Sequence, residues 1–139
     1  MLLVKDLMTT AVITVEPDAP MKAAVEKILT GRFRRIPVVD QGRLVGIITD
    51  RDVRQTLNSP VLVREKAYDD YVFHEVRVAD SMTPDPLTIH PDAPVLEAVE
   101  TMESRKIGGL PVVEDGRLVG IITESDLMHY LVKLLTPGR

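Results

Sequence analysis

Gly42-Arg43-Leu44-Val45-Gly46-Ile47-Ile48-Thr49 recurs without a change as Gly116-Arg117-Leu118-Val119-Gly120-Ile121-Ile122-Thr123, 74 positions further along the 139-residue chain. At that shift Val4 to Val53 aligns without a gap on Val78 to Leu127, and 24 of the 50 pairs are identical. A repeat this strong means that one supersecondary unit is used twice, and it has to be recognised before any element is assigned. Working outward from the repeated octet, Asp6, Met8 and Thr9 return as Asp80, Met82 and Thr83, and Pro17 to Pro20 return as Pro91 to Pro94.

The octet is apolar at consecutive positions, Leu44 to Ile48, which points to a strand buried on both faces. Before it lies a second apolar run, Ile36 to Val39, joined through Gln41-Gly42, with Asp115-Gly116 at the same place in the second copy. Such a pair between apolar runs is the signal of a two-residue hairpin. Upstream, Met21, Ala24, Val25, Ile28 and Leu29 follow helical spacing, as do Val95, Ala98, Val99 and Met102. Pro20 and Pro94 suit a first helical position, with Asp18 and Asp92 as caps. Earlier still, Val12 to Val15 and Leu87 to Ile89 read as brief first strands closed by Pro17 and Pro91. After the octet a helix opens at Thr49 or Thr123; in the second copy it runs through Leu127, Leu131, Leu134 and Leu135 toward a core or a partner.

Each copy therefore reads strand, helix, strand, strand, helix. Fifty residues bury too little surface to stand alone, so the copies are expected to pack on each other. The fold class is α+β, α/β sandwich-like, with two tandem β-α-β-β-α repeats related by a pseudo-twofold axis. The boundaries fall at 1–57 for the first repeat, 58–77 for a connector, 78–135 for the second repeat and 136–139 for a tail. Tyr68, Tyr71 and Phe73 supply three of the five aromatic residues, so the connector reads as ordered and partly helical.

Composition removes several classes of function. Apolar residues make up 45% and charged residues 27%, as in folded soluble domains. Seventeen basic against 21 acidic residues leave a net charge of -4, which offers no basic footprint for nucleic acid or a membrane surface. With no cysteine, disulfide frameworks, thiolate zinc sites and a cysteine nucleophile are excluded. No apolar run approaches the ~20 residues of a spanning helix, and Lys5 and Asp6 interrupt the N-terminus too early for a signal peptide. A cytoplasmic protein is the expectation.

The chemistry-bearing residues gather at the end of the octet. Thr49-Asp50-Arg51-Asp52 and Thr123-Glu124-Ser125-Asp126 share Thr-x-x-Asp at a strand–helix junction, a near capping box that needs no ligand. The same junction suits a phosphate at the helix N-terminus, with the carboxylate placed to accept from ribose hydroxyls. Arg32, Arg34 and Arg35 precede the second strand of copy one, where copy two has Lys106, Gly108 and Gly109. Arginine there grips phosphate in a bidentate way, whereas glycine admits a close backbone approach. His74, His90 and His129 occupy unrelated places in the repeat and read as surface residues, and no metal site is expected. Met102 and Met128 read as core filler. No nucleophile, base or metal cluster stands at matched spacing, so an enzyme is not expected.

Taken together, Asp-x-Met-Thr, Ile36-Pro37-Val38-Val39 and Leu110-Pro111-Val112-Val113, the octet and Thr-x-x-Asp resemble the CBS domain. The tandem resembles a CBS pair, or Bateman module, over Val4 to about Leu135, and the connector is similar to that of acetoin-utilisation-type CBS proteins. The resemblance implies a non-catalytic regulatory module with no required cofactor. Its ligands would be AMP, ADP, ATP or S-adenosylmethionine, held in two clefts between the copies. Asp52 and Asp126 would hold ribose hydroxyls, and Thr49 and Thr123 would lie near phosphate. The base would rest on Thr9, Val12 and Ile13 or on Thr83, Pro86 and Leu87, walled by Ile47, Ile121, Phe33 and Ile107. A site in this family mixes the Thr-x-x-Asp of one copy with the opening strand of the other. Arg34 and Arg35 against Gly108 and Gly109 predict one site for several phosphates and one less charged. A homodimer formed through the helices and an effector protein that reads the ligand complete the expectation. The alternative is a purely structural dimerisation scaffold without a physiological nucleotide.

Overall fold

The computed structural model describes residues 1–30, 33–57 and 75–138. Most of the connector expected at 58–77, with Tyr68, Tyr71, Phe73 and His74, lies outside the described residues, as do Gly31 and Arg32. In chain order the elements are α1 (Val4–Leu7), α2 (Met21–Leu29), β1 (Arg35–Asp40), β2 (Arg43–Thr49) and α3 (Asp50–Leu57). They continue as α4 (Val78–Ser81), β3 (Thr83–Pro84), α5 (Val95–Arg105), β4 (Gly109–Glu114), β5 (Arg117–Thr123) and α6 (Glu124–Leu135).

These elements form two compact units that do not coincide with the two repeats. A medial unit spans Ile13–Pro86, and a terminal unit joins Met1–Val12 to Leu87–Arg139. The opening segment of each repeat is thus exchanged: residues 1–12 complete the unit built from the second repeat, and α4 with β3 completes the unit built from the first.

Within the medial unit, β1 and β2 form an antiparallel hairpin closed by the pair Asp40 and Arg43, and β4 and β5 do the same in the terminal unit through Glu114 and Arg117. Both turns place two residues at positive φ, Gln41 at 51° and Gly42 at 85°, Asp115 at 53° and Gly116 at 79°. That is the turn whose twist matches a two-residue hairpin. Each hairpin also carries a register shift, between Val38 and Val39 and between Val112 and Val113, which leaves Val45 and Val119 as the extra residue of a β-bulge.

The expected first strands shrink to single parallel bridges, Val15 with Val38 and Ile89 with Val112. Each bridge has two hydrogen bonds: Val15 N donates to Pro37 O at 3.1 Å, and Val39 N donates to Val15 O at 2.9 Å. Pro37 and Pro111 have no N–H to extend a ladder, and Pro17 and Pro91 end the run. The prolines expected inside the helices sit one position earlier. Pro20 and Pro94 are extended N-cap residues, at φ −67° and −63°, with no side-chain cap. The first helical amides are instead capped by the exchanged backbone: Met21 N donates to Val76 O at 2.8 Å and Val95 N to Leu2 O at 2.9 Å.

The exchanged segments are stitched in along their length. Val4 N and Lys5 N donate to Ala93 O and Pro91 O at 2.8 and 2.9 Å, and Val78 N and Ala79 N donate to Ala19 O and Pro17 O at 2.8 and 2.9 Å. Each contributes a fully buried valine to a core. Val78 joins Val15, Met21, Ala24, Val25, Ile28, Ile36, Val38, Ile48 and Val53 in the medial unit. Val4 joins Ile89, Ala98, Met102, Leu110, Val112 and Ile122 in the terminal unit.

Three expectations of burial fail. Leu29 is 67% exposed and Val99 37% exposed, so both leave the buried helical stripes, and Met128 is 59% exposed and not core filler, while Met102 is buried. Leu29 ends α2 a full turn beyond Val25, and Met128 stands on a face of α6 shared by exposed Leu131, Val132, Leu134 and Leu135. No helix among the described residues is long and apolar enough to cross a membrane.

Candidate functional site

Each strand–helix junction forms a small hydrogen-bonded cluster from both repeats. In the terminal unit, Asp126 Oδ2 accepts from Thr123 N at 2.8 Å and from Thr123 Oγ1 at 3.1 Å, while Asp126 N donates to Thr123 Oγ1 at 3.4 Å. This is a capping box that opens α6 and satisfies two amide donors reciprocally. The other carboxylate oxygen turns to the exchanged segment: Thr9 Oγ1 donates to Asp126 Oδ1 at 2.8 Å. The medial unit repeats the arrangement. Asp52 Oδ2 accepts from Thr49 N at 2.9 Å and Thr49 Oγ1 at 3.0 Å, and Asp52 N donates to Thr49 Oγ1 at 3.2 Å. Here Thr83 Oγ1 lies farther off, 3.2 Å from Oδ1 and 3.4 Å from Oδ2 of Asp52.

Backbone pairing fixes these threonines. Thr9 N donates to Ile121 O at 2.8 Å and Ile121 N to Thr9 O at 2.9 Å; in the medial unit Ile47 and Gly46 pair with Thr83 and Pro84. The approach is close because the facing strand residue is glycine. A Cβ on Gly120 would stand 2.7 Å from Met8 Sδ and 2.9 Å from Thr9 O, and one on Gly46 would meet Met82 Sδ and, at 3.0 Å, Thr83 O.

The Asp-x-Met-Thr motif thereby acquires a role at each position. Asp6 Oδ2 accepts from Leu3 N at 2.8 Å and Asp80 Oδ2 from Arg77 N at 3.2 Å, holding the short helices, before Met and Thr meet the octet. Sequence reasoning did not give Met8 and Met82 a place. The signal was available, since a methionine and a glycine recur together in both copies.

The helix N-termini are partly spent within the chain. Asp50 N donates to Arg34 O and Glu124 N to Gly108 O, both at 3.0 Å. These bonds place the residue before each hairpin against the junction, so Arg34 of copy one and Gly108 of copy two sit beside their own Thr-x-x-Asp. Phe33 and Arg34 are exposed, and Arg35 is half-buried at the start of β1.

Of the residues expected around a base, Thr9 and Val12 belong to the terminal unit and Ile13 to the medial one. Thr83 and Pro86 are medial, and Leu87 is terminal. Each trio is therefore divided. The terminal unit gathers Thr9, Val12, Leu87, Ile107, Gly108, Ile121, Thr123 and Asp126, and the medial unit gathers the rest.

One ion pair is peculiar to the terminal unit. Lys5 Nζ lies 3.0 Å from Asp92 Oδ1. Their hydrogen bond, and then their mutual charge, hold Lys5 above its ordinary value and Asp92 below its own. The equivalent positions of the medial unit hold Ala79 and Asp18. His90 Nδ1 accepts from Asp92 N at 3.0 Å, and the His129 ring bonds Ser125 O at 2.8 Å. Both are local contacts outside the clusters.

Comparison with known proteins gives the same division into two copies. The family model of the CBS domain matches residues 4–59 and again 76–133. A Vibrio cholerae protein assigned to acetoin utilization, AcuB, is 31% identical, with a TM-score of 0.83 over 97% of this chain and 93% of that one. CBSX2 of Arabidopsis thaliana, solved in complex with AMP, is 26% identical at a TM-score of 0.81, covering 98% of this chain and 100% of that one. The CBS domain pair of protein MJ0100 was solved with 5-methylthioadenosine and S-adenosyl-L-methionine. It is 30% identical at a TM-score of 0.73, over 93% of this chain and 98% of its own.

Proposed function

From the premise that this chain belongs to the CBS domain family, as a tandem pair, we propose that it is a non-catalytic regulatory module binding adenosine-containing ligands at two sites, one in each unit. The observation that carries this reading is the cluster built twice: a carboxylate at a strand–helix junction, oriented by its own Thr-x-x-Asp and faced by a threonine from the other repeat. Asp126 and Asp52 accept from the ribose hydroxyls, and Thr123 and Thr49 lie toward the phosphate. Relatives of this fold solved with AMP and with S-adenosyl-L-methionine support the ligand class.

The two sites differ in charge. Arg34 and Arg35 stand beside the medial junction where Gly108 and Gly109 stand beside the terminal one, so the medial site favours several phosphates and the terminal site a less charged ligand. Two copies of the chain associate through exposed helical faces, and occupancy is read by an effector protein, to the extent that the ligand prefers one arrangement of the module. The cytoplasm is the compartment this reading assumes.

A thermal-shift panel of AMP, ADP, ATP and S-adenosylmethionine tests the proposal. A ligand at a hundred times its dissociation constant adds ~2.7 kcal/mol of stability, and Asp52→Ala with Asp126→Ala abolishes the shift while the protein stays folded. A second reading is favoured by one observation: both junctions form capping boxes without any ligand. If no adenosine compound shifts the wild type, the clusters serve only to cap helices and the module is a structural dimerisation scaffold.

A further inference from the structure

We infer that Thr9 and Thr83 are affinity-determining residues, unequal internal competitors for the carboxylates that hold the ribose, with Thr9 the stronger of the two. The inference rests on the adenosine-binding reading above. An ionised carboxylate offers about four acceptor positions. At Asp126 three are occupied: two on Oδ2 by Thr123 N and Thr123 Oγ1, and one on Oδ1 by Thr9 Oγ1 at 2.8 Å. A ribose diol brings two donors, and one position remains. The Thr9 hydroxyl must therefore turn away before both ribose hydroxyls are accepted, since the alternative is to break the box that starts α6.

At Asp52 the corresponding contact is long and split, 3.2 Å to Oδ1 and 3.4 Å to Oδ2. Both distances lie beyond the ~2.5–3.0 Å usual for O–H···O bonds, so Thr83 opposes the ligand less. Thr9 and Thr83 are both exposed, and a displaced hydroxyl finds water. The opposition is then the net value of one ordinary hydrogen bond, roughly 3- to 10-fold in affinity for Thr9. It is about 2-fold or less for Thr83.

The test is titration calorimetry with AMP and with its 2′-deoxy analogue, using Asp52→Ala to leave only the terminal site and Asp126→Ala to leave only the medial one. Thr9→Val, which keeps the shape and removes the hydroxyl, should tighten AMP at the terminal site by about 3- to 10-fold. It should leave the deoxy analogue unchanged, because a single hydroxyl fits the position already vacant. Thr9→Ser should behave as wild type, and Thr83→Val should change the medial site by no more than about 2-fold. If AMP binds but Thr9→Val leaves its affinity unchanged or lower, the competition is refuted and the adenosine reading stands. Equal tightening of AMP and the deoxy analogue also refutes it. If neither wild type nor any variant binds AMP, the adenosine reading falls, and this inference falls with it.

Discussion

Replacing Gly120 by alanine probes the closest approach in the terminal unit. The added Cβ would lie 2.7 Å from Met8 Sδ, 3.1 Å from Met8 Cγ and 2.9 Å from the carbonyl oxygen of Thr9. A methionine tail can swing aside. The carbonyl cannot, because it accepts from Ile121 N at 2.9 Å while Thr9 N donates back to Ile121 O at 2.8 Å. Any retreat stretches both bonds. Overpacking of this kind costs about 1–3 kcal/mol, against a gain of about 0.5–1 kcal/mol from removing a glycine within a strand. At the midpoints of these ranges the net loss is about 1.2 kcal/mol, with an upper bound of about 2.5 kcal/mol, which for a chain of this size lowers Tm by roughly 3–10 °C. Calorimetry gives the shift, and amide exchange gives its location, since protection at Thr9 and Ile121 should fall together. Combining Gly120→Ala with Met8→Ala should cost less than the sum of the two, as expected of residues in contact. A Gly120→Ala protein with unchanged Tm and unchanged exchange at Ile121 would show that the segment does not press on the strand.

Val4→Ala should cost about 1.5–3 kcal/mol, from two methyl groups and the cavity they leave in the terminal core; a urea midpoint at the wild-type value would refute the docking of residues 1–12. The Lys5–Asp92 pair should show in pH and salt. Its stabilisation is full between the two ordinary values of 3.8 and 10.5. It is lost as pH falls through the depressed Asp92 value or rises through the raised Lys5 value. Carboxyl NMR should find the Asp92 midpoint moving up in Lys5→Met and in high salt, and an unmoved midpoint refutes the pair.

The hairpins, the α2 and α5 faces and the helix starts at Thr49 and Thr123 were legible because each rests on local chemistry: turn residues, spacing and a capping threonine. Which opening segment docks where was suggested by the family resemblance alone, and no residue pattern in the chain carries it. Val4, Asp6, Met8 and Thr9 have identical counterparts at Val78, Asp80, Met82 and Thr83, so either segment carries the groups either unit needs. Chain connectivity decides, and no local pattern reports it. The short helices α1 and α4 were missed for a related reason. Four residues have no period, and their ends are held by Asp6 and Asp80 and by partners far along the chain. The Thr-x-x-Asp cluster was found, but its competitor was not, because Thr9 and Asp126 stand 117 residues apart.

The exchange also sets a timetable for synthesis. The medial unit is a continuous stretch, and its Thr83–Asp52 contact closes a loop of 31 residues. The Thr9–Asp126 contact closes one of 117, which costs about 1.2 kcal/mol more in chain entropy. At about 5–20 residues per second, residues 1–12 wait on the order of ten seconds for their partner to be translated. During that interval Gly42–Thr49, identical in sequence to the Gly116–Thr123 octet on which Thr9 pairs, has already been translated. Duplication thus puts one copy of the octet into the newborn chain before the copy that residues 1–12 pair with has been made.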